Sequence, residues 1–136
     1  MSAEEHYRKL ERMYLGAPVN RMFHPRIEIG EGRATVIIPI RPDFFHAAHA
    51  AHGMIYFKLL DDAAFFAVNS LVEDVFALTV SFNLHLIRPI TEGDVRATGR
   101  VVHQSRRLFI ADAQAADEEG REVARAPGRS CAAPFR

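Results

Sequence analysis

Only one of the 136 residues, Cys131, is a cysteine, so no intrachain disulfide framework is available and no zinc-type spacing surrounds it. Cys131 reads as a small residue of a terminal strand, and the chain as suited to a reducing, cytoplasmic compartment. Net charge is equally scarce. Lys plus Arg and Asp plus Glu number 17 each, so no global field recruits nucleic acid or an anionic membrane, and any anion must be held by a local basic cluster. No run of roughly eighteen apolar residues occurs, which argues against a spanning helix. The opening MSAEEHYRKLERMYLG mixes acids with bases and has no continuous apolar stretch, so neither a signal peptide nor a transit peptide is expected there. Internal repeats, low-complexity segments and long linkers are also missing. Residues 1–136 are therefore expected to form one domain, with 1–20 supplying an N-terminal helix and its connection.

An apolar fraction of 49% is enough for a real core in a chain of this length. Residues 3–15 set Tyr7, Leu10 and Tyr14, with Met13 at the margin, on one stripe among charges. That is an amphipathic surface helix, a lid or cap, ended by Gly16 and Pro18. The β-branched runs 26–30 and 33–40 flank Glu31-Gly32 as a hairpin would, with Pro39 ending or bulging the second strand. DFFHAAHAAHG then leads into MIYFKLLDDAAFFAVNSLV, apolar on nearly every face and too long for a strand, which predicts a helix buried on most sides. ALTVSFNLHLIRP alternates, with Leu78, Val80, Phe82, Leu84 and Leu86 on one side and Thr79, Ser81, Asn83 and His85 on the other, predicting one long strand. Extended segments at 94–104, 107–116 and 121–133 follow, turning at Gln104-Ser105 and at Glu118-Glu119-Gly120. Antiparallel strands can bury an all-apolar helix lying between the second and third only by curling around it. The expected fold is α+β: a hotdog, a curved antiparallel sheet wrapped around one long buried central helix, plus the N-terminal amphipathic helix.

The central helix carries the candidate chemistry. Its N-terminus offers free N–H groups and a positive dipole end, suited to the oxyanion that forms when a carbonyl is attacked. Gly53, without a Cβ, would let a carbonyl approach that backbone, although capping or packing explains a glycine there as well. Asp61 has Phe57 and Phe65 at i±4, an apolar setting that raises a carboxyl pKa toward a catalytic range. Asp62 has Lys58 at i−4 as a plausible ion-pair partner. Both acids could instead line a solvated stripe, a reading weakened by how apolar the rest of the helix is. Gly53 and Asp61 stand eight residues apart, about 12 Å of helical rise, too far to share one carbonyl carbon. A twofold dimer resolves this when the helix start of one subunit meets the aspartate of the other.

His52-Gly53 opening a helix, an aspartate nine residues after that histidine, and the strand Phe82-Asn83-Leu84-His85-Leu86-Ile87-Arg88-Pro89 together resemble the phenylacetate-type acyl-CoA thioesterase family over roughly residues 25–130. The resemblance implies hydrolysis of an acyl-CoA thioester across a dimer interface, with Asp61 as base or nucleophile and Thr79 helping to position the water. It implies no cofactor beyond the coenzyme A of the substrate, and leaves dimer or tetramer open. Two positions depart from the family pattern. His46 stands where an asparagine is usual, and Met54 where a second glycine is usual. Imidazole can donate a similar hydrogen bond or act as an acid.

His46, His49 and His52 recur every third residue. Zinc binding by all three would need a curled backbone, and ordinary loop histidines are expected instead, with no metal. Arg88, Arg100, Arg106, Arg107 and Arg129 are candidates for the coenzyme A phosphates, at expected strand ends or turns, with Arg106 and Arg107 first among them. Each is also readable as a plain surface arginine. Among Phe44, Phe45, Tyr56, Phe57, Phe65 and Phe66 most are expected in the core, with one or two lining an acyl or aryl pocket. Two other readings are kept. The same fold hosts acyl-CoA hydratases or dehydratases, for which Asp43 and His46 would be the acid and histidine, and a non-catalytic acyl-CoA-binding dimer would tolerate the changes at His46 and Met54.

Overall fold

The computed structural model describes residues 1–133. Helix α1 (Ala3–Gly16) starts where the Ser2 hydroxyl accepts the Glu5 N–H, and Glu4 and Glu5 occupy its positive first turn. Its buried stripe is His6, Tyr7, Leu10 and Tyr14, while Met13 turns outward. Strands β1 (Arg26–Gly30) and β2 (Arg33–Pro39) form the expected hairpin, with Gly32 at φ 65° in its turn. β2 stops at Pro39, which has no N–H to offer the ladder.

Helix α2 (Gly53–Asn69) is followed by β3 (Leu78–Ser81), β4 (His85–Leu86), β5 (Asp94–Gln104), β6 (Leu108–Ala116) and β7 (Glu122–Ala132). The sheet runs β1-β2-β5-β6-β7-β3 with every pairing antiparallel, and β4 also pairs with β7. It curls around α2, which packs on β2, β5, β6 and β7. This is the hotdog architecture expected from the strand–helix–meander order. No helix among the described residues is long and apolar enough to cross a membrane.

Helix and sheet meet most closely at Gly99 in the middle of β5. A Cβ on Gly99 would stand 2.3 Å from the carbonyl oxygen of Ala63 and 2.7 Å from the nitrogen of Ala64. Ala63, Ala64 and Ala67 are fully buried along this side of α2, so small residues on both layers permit the approach. The far end of α2 is closed by Asn69, which is completely buried. Its side chain donates to the carbonyls of Phe65 (2.9 Å) and Ala77 (3.1 Å) and accepts the Ala77 N–H (2.9 Å). Its own carbonyl lies 2.8 Å from His6 Nε2, which ties α1 to the same point. Asn69→Ala is expected to cost about 2 kcal/mol, because it strands both backbone groups of Ala77 in the interior. A urea unfolding curve would show it as a lower midpoint at unchanged slope.

Two departures from the expected pattern bear on the site. The predicted long strand is split into β3 and β4, with residues 82–84 between them outside either strand and a register shift against β7 near Thr79. Its alternation finds no core within one chain: Leu78 and Val80 are 61% and 66% exposed. In β7, Pro127 and Gly128 together oppose the single residue Asp112 of β6, whose carboxylate accepts the Gly128 N–H at 2.8 Å, and Gly128 has φ 66°. This β-bulge shifts the side-chain phase of the strand by one. Ala124 and Ala126 face inward before it; Arg129 and Cys131 face inward after it.

Candidate active site

His52 caps the start of α2, its Nδ1 accepting the Met54 N–H at 3.0 Å. His46 accepts the Ala48 N–H at Nδ1, also at 3.0 Å, in a loop whose His49 sits at φ 63°. A neutral imidazole that accepts at Nδ1 carries its proton at Nε2, so both rings present an N–H outward. His46, Gly53, Tyr56, Leu86 and Arg88 line a cavity of about 260 Å³. Tyr56 donates its hydroxyl to the Arg88 carbonyl at 2.7 Å, which fixes one wall. A Cβ on Gly53 would meet only Leu86, at an ordinary contact distance of 3.4 Å, so this helix start has open space beside it. Among the described residues no group of three or more His, Cys, Asp or Glu side chains is arranged to hold a metal ion.

Asp61 lies two turns further along α2 and opens elsewhere, onto a pocket of about 380 Å³ whose apolar walls include Phe65, Phe66, Phe76, Leu78 and Met13. Its side chain is 29% exposed, and Oδ1 is 2.6 Å from Nη2 of Arg129, which is itself fully buried. The same guanidinium donates from Nη1 to the Asp61 carbonyl at 2.5 Å and from Nη2 to the Thr79 hydroxyl. Phe65 and Phe82 stack near it, 5.9 and 5.5 Å from ring centre to Cζ. Burial raises the Asp61 pKa above the ordinary carboxylate value, with Arg129 opposing, Asp62 adding to the rise and Lys58 opposing. The adjacent Asp62 takes the other cations and donors: Lys58 Nζ at 2.8 Å, as its spacing suggested, and the Tyr14 hydroxyl at 2.6 Å. Burial, with Asp62 beside it, pushes the Tyr14 phenol well up, so it stays a donor.

The structure thus brings Asp61 and Thr79 onto one guanidinium beside the middle of α2, and His46, His52 and Gly53 together at its N-terminal end. Within one chain Asp61 lines one cavity, and His46 and Gly53 line a separate one. The candidate arginines scatter. Arg88 shares the Gly53 cavity, and Arg106 and Arg107 line a recess at the β5–β6 turn beside Glu73 and Asp74. Arg100 stands mid-strand on the outer face of β5 rather than at a strand end. Arg129, expected at a strand end or turn and open to a phosphate, is enclosed within β7 and committed to Asp61. Its pairing with the acid was missed because simple alternation puts Arg129 in phase with the exposed Arg125. Pro127-Gly128 inside a strand pattern was the available sign of a bulge.

A curved antiparallel sheet around a helix with an open glycine start and a pocketed acid places the chain among the hotdog-fold enzymes. More particularly, a family model described as Thioesterase superfamily matches residues 48–124, over half the chain, and the chain belongs to that superfamily as a thioester hydrolase. It is 28% identical over 105 residues, 76% of its own length, to the acyl-coenzyme A thioesterase PaaI of Escherichia coli strain K12, and covers 74% of that protein. The solved structure of the E. coli PaaI protein from the phenylacetic acid degradation operon superposes with a TM-score of 0.87 at 22% identity, covering 97% of this chain and 96% of that one. A mutant structure of the phenylacetic acid degradation protein PaaI from Thermus thermophilus gives 0.77 at 25% identity, covering 85% and 98%.

Proposed function

We propose that the protein hydrolyses acyl-coenzyme A thioesters to a carboxylic acid and free coenzyme A, as a twofold dimer that assembles each site from two chains. The observation that carries this reading is the Asp61 carboxylate at the mouth of an apolar pocket of about 380 Å³, room for an acyl or aryl group beside a charged acid. The E. coli relative's name, an acyl-coenzyme A thioesterase, agrees with it.

In this reading the thioester carbonyl lies against the Gly53 N–H at the start of α2 in one subunit, with His46 Nε2–H as a further donor in place of the family asparagine. Asp61 of the other subunit acts on the carbonyl carbon, either as base toward water or as the attacking group. Thr79 orients the water, and His52 holds the helix start that forms the oxyanion site. Arg88, on the rim of the Gly53 cavity, is the nearest cation for the phosphates of coenzyme A, and Arg106, Arg107 and Arg100 lie farther around the surface. No metal or separate cofactor is invoked. Cytoplasm is the proposed compartment, where Cys131 keeps its thiol. The family match favours hydrolysis over hydration of an enoyl group, and Asp43, the acid a hydratase reading needs, is paired with Arg41 at the surface.

The dimer reading draws on β3. It ends the sheet with an unpaired edge and carries exposed Leu78 and Val80, and Met54, Phe57 and Leu86 are exposed apolar residues as well. A second copy adding its own β3 there would cover them. Val80→Glu is expected to halve the mass seen by light scattering at micromolar concentration and to lower hydrolysis more than tenfold, whereas an unchanged mass would count against this interface.

The deciding test is thiol release from short, long and aryl acyl-coenzyme A substrates by the wild type. Turnover of one class establishes the activity and its acyl preference. No release from any of them by a folded dimer would leave a binding role.

A further inference from the structure

Arg129 is the largest fully buried side chain among the described residues, and the rings of Phe65 and Phe82 form an apolar wall beside its guanidinium. A guanidinium in such a wall carries a desolvation cost that an apolar residue of the same bulk would avoid. Its contacts are also incomplete as a purely structural device, because Nε is buried without a partner. What the side chain does reach is specific: Asp61 Oδ1, the Asp61 carbonyl and the Thr79 hydroxyl. A β-bulge at Pro127-Gly128 is needed to aim it there at all, and bulges commonly re-aim side chains beside active sites.

We propose, on the reading of Asp61 given above, that Arg129 is a positioning residue for hydrolysis: its guanidinium clamps the acting carboxylate and the Thr79 hydroxyl in one arrangement. Three consequences follow from the contacts. Holding Oδ1 fixes the rotamer of Asp61, so the acid meets the carbonyl carbon without searching for its geometry. Donating to Thr79 occupies one of that oxygen's lone pairs and turns its O–H away from the guanidinium, toward Cys131 across the strand pair or toward water or substrate. The positive charge favours the ionised carboxylate and partly offsets the burial that raises its pKa. Other groups also face Asp61: Asp62 and Lys58 along α2, Tyr14 from α1 and Cys131 from β7. Lys58 and Tyr14 are both engaged with Asp62, so among these Arg129 is the cation bonded to Asp61 itself.

The direction of the pH effect is determined by these charges. Arg129 favours the ionised acid, so its loss raises the Asp61 titration midpoint. A base that must be ionised is then lost at higher pH, and the acid limb of the rate profile moves upward. The test follows the ¹³C carboxyl signal of Asp61 against pH in wild type, Arg129→Met and Arg129→Lys, alongside kcat and KM for acyl-coenzyme A hydrolysis. Arg129→Met is expected to raise the midpoint by about one pH unit or more and to move the acid limb of kcat/KM by the same amount. Arg129→Lys keeps the charge but loses the fork, and is expected to hold the midpoint near wild type while lowering kcat more than tenfold at little change in KM. An unmoved midpoint in folded Arg129→Met overturns the clamp. Should that variant not fold, wild-type kcat in Arg129→Lys overturns it equally. Full activity in Asp61→Asn would instead sink the reading of Asp61, an outcome separable because the carboxyl titration does not depend on turnover.

Discussion

Asparagine in place of Asp61 is expected to lower kcat for thioester hydrolysis by about a thousandfold, the scale of losing a positioned base, and to weaken the fold at the same time. Both effects come from one carboxylate. Amide cannot accept a proton from water at neutral pH, which removes the chemistry. It also leaves the guanidinium of Arg129, fully buried 2.6 Å away, without its anion. Breaking one partner out of a buried pair costs about 3 kcal/mol. A loss of activity alone would therefore be ambiguous. The double variant Asp61→Asn with Arg129→Met separates the two, because removing both charges is expected to restore most of the urea midpoint and none of the turnover. Retained turnover in folded Asp61→Asn would remove the acid from the mechanism.

Gly99→Ala is expected to be the most damaging single methyl in the protein. The added carbon would lie 2.3 Å from the Ala63 carbonyl oxygen and 2.5 Å from its carbonyl carbon. These are backbone atoms of α2, and no side chain can swing aside to relieve the clash. Either α2 lifts from the sheet or β5 retreats from β2 and β6, and the expected cost is about 3 kcal/mol or more, the upper range for overpacking. Thermal unfolding would report a fall of many degrees or no folded protein. Gly16→Ala, at the end of α1 with open space around it, is the matched control and is expected to be neutral or slightly stabilising. Equal midpoints for the two variants would mean that helix and sheet are not in contact at Gly99.

Much of this architecture was readable from periodicity, because the strong patterns were those that a core enforces. The all-apolar run of α2, the short β-branched hairpin and the turn at Gly120 each have one low-energy solution, and the curled sheet follows from having to bury the helix. The Asp62–Lys58 pair followed from spacing alone. What escaped was decided by neighbours distant in sequence. The alternation of residues 77–89 is genuine, yet no core in the chain receives Leu78 and Val80, so a strand that looked continuous is short and exposed. Tyr14 could be assigned to a buried stripe, but its hydrogen bond to Asp62 spans 48 residues and no local rule announces it. The candidate site divides in the same way. Gly53 and Asp61 were identifiable by position along a helix, whereas the partner of Asp61 depends on where a bulge falls in the last strand.

That bulge makes the last strand a sentence read in two frames. Before Gly128 one parity of residue number belongs to the interior; after it the other does. Removing one residue at Pro127-Gly128 would leave a single residue opposite Asp112 and restore plain alternation with Arg129 and Cys131 still facing the helix; straightening the bulge with both residues kept would instead send those two to the outer surface and turn Ser130 inward. Whether the extra residue is housed in a bulge or taken into the ladder, more than the length of the strand, decides which side chains β7 lends to the lining beside Asp61.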